Sequence, residues 1–278
     1  MNLQGASQQG QRHYSWRMLE TSTPAVLLDI DGVLHVGGEP VAGAATALTE
    51  LRELASGIRL VTNTTSKSRL QILEQLRGLG FDVDIGEVLT PAALAVRHCR
   101  ERGHRTVKLL VEEALREDLA ELTEARTGEP ADAVVLGDLG DGFTAEVLND
   151  AFRLLMDGAE LVALQHNRYW RRADSIVLDV GAYSAALEYA SSRDAVVVGK
   201  PAPAFFAAAL ADLGADAEVT VMVGDDVEAD VGGALAAGLR GILVRTGKYR
   251  SDALEASGVA PTAIVDSIRD VPGLLRQA

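Results

Sequence analysis

Residues 25–34 read AVLLDIDGVL, and the reading of this stretch decides the fold. Four apolar residues run straight into Asp29-Ile30-Asp31-Gly32. A short apolar run closed by turn residues fits a buried strand. Two carboxylates one residue apart at its end repel each other, and burial of either raises the cost. Stability alone does not call for that arrangement. A D-x-D-G by itself also fits a plain polar turn, so the flanks must decide.

Working outward, residues 43–56 carry apolar side chains at 44, 47, 48, 51 and 54, one face of a helix. Residues 58–61 form a short apolar strand that ends at Thr62-Asn63. Residues 66–78 are helical again, with Leu70, Leu73 and Leu76 in register. Strand, helix, strand, helix favours a parallel sheet with helices on both faces. The same rhythm returns from residue 195. A strand at 195–198 ends in Gly199-Lys200-Pro201, a helix covers 203–213, and a strand at 219–223 ends in Gly224-Asp225-Asp226. A helix at 228–238, strands at 241–244 and 263–265 and a short last helix complete it.

Between these halves lies another α/β pattern. Helices are expected at 91–102, 112–122 and 144–157, the last with Thr144 as N-cap. Strands are expected at 106–111, 131–136, 161–164 and 175–180, with a Gly/Asp-rich loop at 137–143 and a basic, aromatic segment at 167–172. The fold class is therefore α/β. A Rossmann-like parallel-sheet core spans 24–88 and 195–278, an α/β domain is inserted at 89–194, and residues 1–23 form a polar, flexible tail.

Bulk properties exclude several functions. The net charge of −14 over 278 residues argues against a nucleic-acid or anionic-membrane surface, where basic patches supply the affinity. An anionic substrate would need local positive charge from a metal, a lysine or oriented N–H groups. No apolar run approaches the ~18–20 residues that span a bilayer. Cys99 is the only cysteine, so an intrachain disulfide and a cysteine metal site are excluded, and a cytoplasmic location is the default. Cys99 reads as a packing residue. The five histidines show no metal-ligand spacing, and most read as surface residues. The Glu/Arg-rich residues 112–126 read as a solvated helix face.

The polar residues after the apolar strands are unusual: Asp29 with Asp31, Thr62 with Asn63, Lys200, and Asp225 with Asp226. In open parallel sheets the carboxyl ends of the strands line the ligand crevice. If the four strands lie side by side, these residues converge on one point. Acids packed that closely need a cation, and all-oxygen ligation suits Mg²⁺. Taken singly, Asp225-Asp226 also fits a helix N-cap pair, Lys200 a surface lysine, and Thr62-Asn63 a loop start.

The order D-I-D-G-V-L, V-T-N, V-G-K-P, V-G-D-D, with Asp230 following, resembles the haloacid dehalogenase superfamily. The stretches TNTTSKSR, LDVGAYSAALEYA, GKPAPAFF, MVGDDVEADVGGALAAG and VRTGKYR are similar to subfamily IIA, nearest the phospholysine/phosphohistidine/inorganic pyrophosphate phosphatase-like branch. The resemblance runs from residue 24 to the C-terminus. It implies a phosphatase for small phosphorylated compounds that works through an aspartyl-phosphate. Asp29 would be the nucleophile and Asp31 the general acid and base. Thr62, Asn63 and Lys200 would hold the phosphoryl group, with Lys200 also balancing the charge of the nucleophile. Mg²⁺ would sit on the Asp29 side chain, the Asp31 backbone carbonyl and the Asp225 side chain, with Asp226 and Asp230 orienting its waters. Some relatives in the branch carry Ser where this chain has Asp31; the aspartate restores ordinary acid–base assistance.

The resemblance also makes the insertion a cap that selects the substrate. Loops 137–143 and 165–169 should look down at the site, with His166, Asn167 and Arg168 as candidate specificity residues and the cap as a homodimer surface. Two other functions share the nucleophile or the fold. A dehalogenase needs neither Asp31 nor the metal, and a non-catalytic binder of phosphorylated metabolites needs neither acid. Phosphonate hydrolysis needs a cap lysine, and Lys108, the cap's sole candidate, is poorly placed for it.

Overall fold

The computed structural model describes residues 23–171 and 175–277. The tail expected at 1–23 lies outside them apart from Thr23, as does Arg172. The first segment supplies strands β1 (Ala25–Asp29), β2 (His35–Val36), β3 (Glu39–Pro40), β4 (Gly57–Val61) and β5 (Val88–Leu89). Then come β6 (Thr106–Leu110), β7 (Thr123–Glu124), β8 (Ala133–Leu136), β9 (Glu160–Ala163), β10 (Tyr169–Arg171), β11 (Ile176–Leu178) and β12 (Val196–Val197). The last segment adds β13 (Thr220–Gly224), β14 (Arg240–Val244) and β15 (Ala263–Val265). Six of these form a parallel sheet in the order β15-β14-β13-β1-β4-β5, and five form a second parallel sheet, β12-β9-β8-β6-β7. β2 with β3, and β10 with β11, make two small antiparallel ribbons.

Side chains alternate across a strand, and β1 is buried on both faces. Val26 and Leu28 join one cluster with Ala47, Leu48 and Leu51 of helix α1 (Ala44–Leu54). Helix α2 (Arg69–Gly78) adds Ile72, Leu73 and Leu76 to that cluster. On the other face, Leu27 joins a cluster that continues through Ala95 and Cys99 of α3 (Pro91–Arg102) to Val107, Val135 and Val162 of the second sheet. Cys99 is thus a packing residue, as expected. The far face of the second sheet packs Leu110, Val134 and Leu136 against Leu154 and Leu155 of α4 (Ala145–Met156) and Leu187 of α5 (Val180–Ser191). Helix α6 (Pro203–Leu213) adds Phe205 and Phe206 to the layer shared by the two sheets. Truncating a side chain in such a layer costs ~2–5 kcal/mol.

Several expectations need correction. The strand before Lys200 does not lie beside the other three: Val196–Val197 pairs with β9 in the second sheet. Residues 112–122 do not form an α-helix. Only a 3₁₀ stretch, Glu113–Glu117, is present, and Leu115, Leu119 and Leu122 are buried, so this is no simple solvated face. Spacings of four and three fit a run of tight turns as well as a helix. The expected strand at 175–180 is shorter, and α5 follows it, capped by Asp179 at Val180 N–H. Gly181 hides that helix in the sequence, because glycine weakens a helix interior. It is needed because a Cβ there would strike the His166 and Asn167 carbonyls. Residues 227–238 begin as a π-helical turn, Val227–Gly232, before a short α-helix, Gly233–Ala236. Single π turns are frequent at functional sites.

Candidate active site

The carboxyl end of β1 delivers Asp29 into the interior, 6% exposed. Lys200 reaches it from the other sheet. Its Nζ donates to Asp29 Oδ1 at 2.5 Å and to Asp230 Oδ1 at 2.7 Å. Two carboxylates hold the Lys200 ammonium in its charged form and raise its pKa, although burial works against the charge. Burial pushes the Asp29 carboxyl upward, Lys200 pulls it down, and Asp230 and Asp225 push it up again.

Asn63 fixes the lysine. Its Nδ2 donates to the Lys200 carbonyl and its Oδ1 accepts the Lys200 N–H, both at 2.8 Å. This side-chain clamp was not legible in the sequence. Gly199 allows it, since a Cβ there would meet the Leu164 carbonyl and Asn63 Oδ1. Thr62 Oγ1 accepts the Thr64 N–H at 2.9 Å, and Thr64 Oγ1 donates to Asp31 Oδ2 at 3.3 Å. Asp31 is the exposed acid of the group, and its Oδ1 lies 3.7 Å from His35 Nε2. His35 is buried, contrary to the surface reading of most histidines. Its burial follows from β2 folding back over the Asp31 turn, where Gly32 N–H donates to the His35 carbonyl at 2.7 Å.

Asp225 follows β13. Its Oδ2 accepts the Lys248 N–H at 2.6 Å, while its Oδ1 is buried with no hydrogen-bond partner. Burial first of all pushes the Asp225 carboxyl up to about 6. Carboxylate oxygens of Asp29, Asp225 and Asp230 lie within 4.8 Å of one another. A lone buried oxygen beside two further carboxylates is a donor set that fits a divalent cation with hard oxygen ligands. A spacing of four would place Asp226 and Asp230 on one helical face, but Asp226 is extended and precedes the first helical residue. It is the N-cap of the π turn, its Oδ1 accepting the Glu228 and Ala229 N–H groups, while its own N–H donates to Asp230 Oδ2 at 3.1 Å.

A cavity of about 450 Å³ opens over this group. Asp29, Asp31, Thr62, Asn63 and Lys200 line it, as do Asp226 and Asp230. Its opposite wall comes from the second sheet's loops: Asp138 from 137–143, and Gln165 with Asn167 from 165–169. Of the three specificity candidates, Asn167 reaches the cavity. His166 is exposed and turns to Glu188 Oε2 at 3.3 Å, and Arg168 is exposed and is not part of the wall. Gln165, the first residue of the expected loop though not among the three candidates, donates to Asp179 Oδ1 at 2.5 Å and accepts the Asn167 N–H at 2.5 Å, which holds that wall in place. Lys108 pairs with Asp150 at 2.9 Å and does not line the cavity. Lys67, Gln75 and Lys248 also line it. Lys67 and Lys248 lie within TNTTSKSR and VRTGKYR, but nothing in their spacing marks them as facing a site.

The comparisons with known proteins agree with this geometry. The family model described as haloacid dehalogenase-like hydrolase matches residues 26–123, and a second model of HAD-like hydrolases matches residues 197–271. The bovine (Bos taurus) haloacid dehalogenase-like hydrolase domain-containing protein 2 is 43% identical over 243 residues, 87% of this chain and 92% of its own. The bovine phospholysine phosphohistidine inorganic pyrophosphate phosphatase is 39% identical over 269 residues, 95% of this chain and 98% of its own. Among solved structures, the p-nitrophenyl phosphatase from Archaeoglobus fulgidus superposes with a TM-score of 0.84 at 30% identity, covering 91% of this chain and 99% of that one. An Asp29–Lys200–Asp225 centre at the end of a parallel sheet and these relatives lead to one assignment: the chain belongs to the haloacid dehalogenase superfamily of hydrolases, in subfamily IIA.

Proposed function

We propose that the chain is a Mg²⁺-dependent phosphatase that hydrolyses small phosphomonoesters or related phospho compounds through an aspartyl-phosphate on Asp29. One observation carries the reading. Asp29 Oδ1 is held by Lys200 beside an Asp225 Oδ1 that is buried and unpartnered, an arrangement that is complete only with a cation. Mg²⁺ held by Asp29, Asp225 and the Asp31 carbonyl would neutralise charge on the transferring phosphoryl group.

The chain's own residues do the rest. An Asp29 oxygen attacks phosphorus, forming a P–O bond as the bond to the leaving oxygen breaks. Asp31 gives its proton to that oxygen. In the second half it takes a proton from a water that attacks phosphorus, which frees Asp29 and inorganic phosphate. Such assistance is worth ~10²–10⁴-fold. Lys200, Thr62 and the Asn63 backbone offset and orient the phosphoryl oxygens. Asp226 and Asp230 would help to hold the cation in place from behind its contacts, since groups beyond the first contacts tune a metal site.

We also read residues 89–194 as a cap that closes over the cavity and excludes water, with Asn167 as its substrate contact. The β10–β11 ribbon, with Tyr169, Ile176 and Leu178 exposed, supports the expected homodimer surface. Among the described residues no helix is long and apolar enough to cross a membrane. The single buried Cys99 supports a cytoplasmic, reducing setting. The substrate screen is direct. EDTA-stripped protein is assayed on a panel of phosphorylated metabolites with and without Mg²⁺, ranked by kcat/KM. Mg²⁺-restored phosphate release is expected. Phosphate release that persists undiminished in EDTA removes the metal from the mechanism, and no release from any compound overturns the reading; halide release from a haloacid in EDTA would point instead to a dehalogenase-type hydrolase.

A further inference from the structure

We propose that the Thr246-Gly247-Lys248 turn shapes the cation site by setting both Asp225 and the Asp31–Gly32 turn, an inference that rests on the metal-dependent reading above. The turn follows β14 and touches both segments at once. Thr246 Oγ1 donates to the Gly32 carbonyl at 2.5 Å. Two residues on, the Lys248 N–H donates to Asp225 Oδ2 at 2.6 Å.

Gly247 between them must be glycine. Its φ is +61°, and a Cβ there would overlap Asp225 Oδ2 and crowd Gly32 Cα. Gly32, with φ +90°, faces the same oxygen, so a Cβ there would overlap it too. One oxygen of Asp225 is therefore packed between two glycines and assigned to a single N–H. That leaves Oδ1, buried and without a partner, as the oxygen free to meet a cation.

The turn also steadies the segment that carries the other ligand. The Asp31–Gly32 peptide is trans, so its C=O and N–H point in opposite directions. The Gly32 N–H is bound to the His35 carbonyl, which sets the direction of the Asp31 carbonyl. Thr246 binds the carbonyl of the next peptide, so both peptides around Gly32 are held. A glycine at positive φ is free to swing without such ties. Thr246 is a positioning residue by this account: it contacts no substrate and acts through Gly32.

The test is Mg²⁺ binding to EDTA-stripped protein by calorimetry, with Thr246→Val and Thr246→Ser. Valine keeps the shape and removes the donor; serine keeps the donor. Thr246→Val should weaken Mg²⁺ binding ~10–100-fold, the range seen when groups behind metal ligands are lost, and its kcat should recover at high Mg²⁺. Thr246→Ser should retain the wild-type affinity. A merely structural role lowers the melting temperature of the metal-free protein and leaves Mg²⁺ affinity in place. Wild-type affinity in Thr246→Val overturns the inference and leaves the phosphatase reading standing. No Mg²⁺ binding by the unmutated protein overturns both. If Thr246→Val does not fold, Thr246→Ala is judged by the same affinity criterion.

Discussion

Lys200 Nζ sits 2.5 Å from Asp29 Oδ1, although the lysine leaves a strand of one sheet and the aspartate ends a strand of the other. The two sheets therefore meet chemically at this pair, and its third member, Asp230, is equally buried. Removing one partner of a buried charged group leaves the rest uncompensated, which costs ~3–5 kcal/mol. Lys200→Ala should lose about that much stability in the metal-free protein by urea titration, and its phosphatase activity with it. An unchanged midpoint contradicts this view of the pair.

Asn63 supplies two hydrogen bonds to the Lys200 backbone, one to its N–H and one to its carbonyl, and no charge. Each is worth ~0.5–1.5 kcal/mol. Asn63→Ala should thus destabilise the fold by about 1–3 kcal/mol and lower kcat while leaving measurable turnover. Its effect on rate should be smaller than that of any substitution at Asp29, as steady-state assays on both will show.

Asp225 gives a pH prediction with a definite sign. Its folded pKa of about 6 lies above the ordinary 3.8, with burial as the largest cause. The folded, metal-free protein therefore binds that proton more tightly than the unfolded chain. Ionising Asp225 loses roughly 3 kcal/mol of stability as pH rises from about 4 through about 6. In EDTA, the stability of the wild type should fall relative to Asp225→Asn across that window. Mg²⁺ should reverse the trend for the wild type, because it binds the ionised form. Denaturation at a series of pH values checks both arms, and a pH-independent difference in EDTA rules the explanation out.

Asp31 bears on the leaving group. Protonation matters for an alcohol and little for p-nitrophenolate, which leaves unaided. Asp31→Asn should lose ~10²–10⁴-fold on alkyl phosphates and distinctly less on p-nitrophenyl phosphate. Equal losses in kcat/KM on both would remove Asp31 from protonation of the leaving group.

What the sequence revealed tracks how local each signal is. Asp29, Asp31, Thr62 and Asp225 were legible because they lie at or just past the ends of apolar runs, and strand ends in a parallel sheet share one edge. Lys200 was legible by its residue type, but the sheet its strand joins was not. Pairing of Val196–Val197 with β9 is a choice between distant partners. His35 carried no signal, because its burial comes from β2 folding back over Asp31. The Asn63 clamp and the Thr246 tie link residues 137 and 214 positions apart. The 3₁₀ stretch at Glu113–Glu117 and the glycine-opened helix α5 show the limit of periodicity, which tells apolar spacing better than it tells the turn that produces it.

The central claim is that Asp29 is the nucleophile, and Asp29→Asn tests it most directly. The amide keeps the size of the side chain and removes the attacking oxygen. Mg²⁺-supported phosphate release, measured on the best substrate with folding verified by circular dichroism, should fall to background in this variant. Near-wild-type Mg²⁺-dependent release by a folded Asp29→Asn protein would contradict the account.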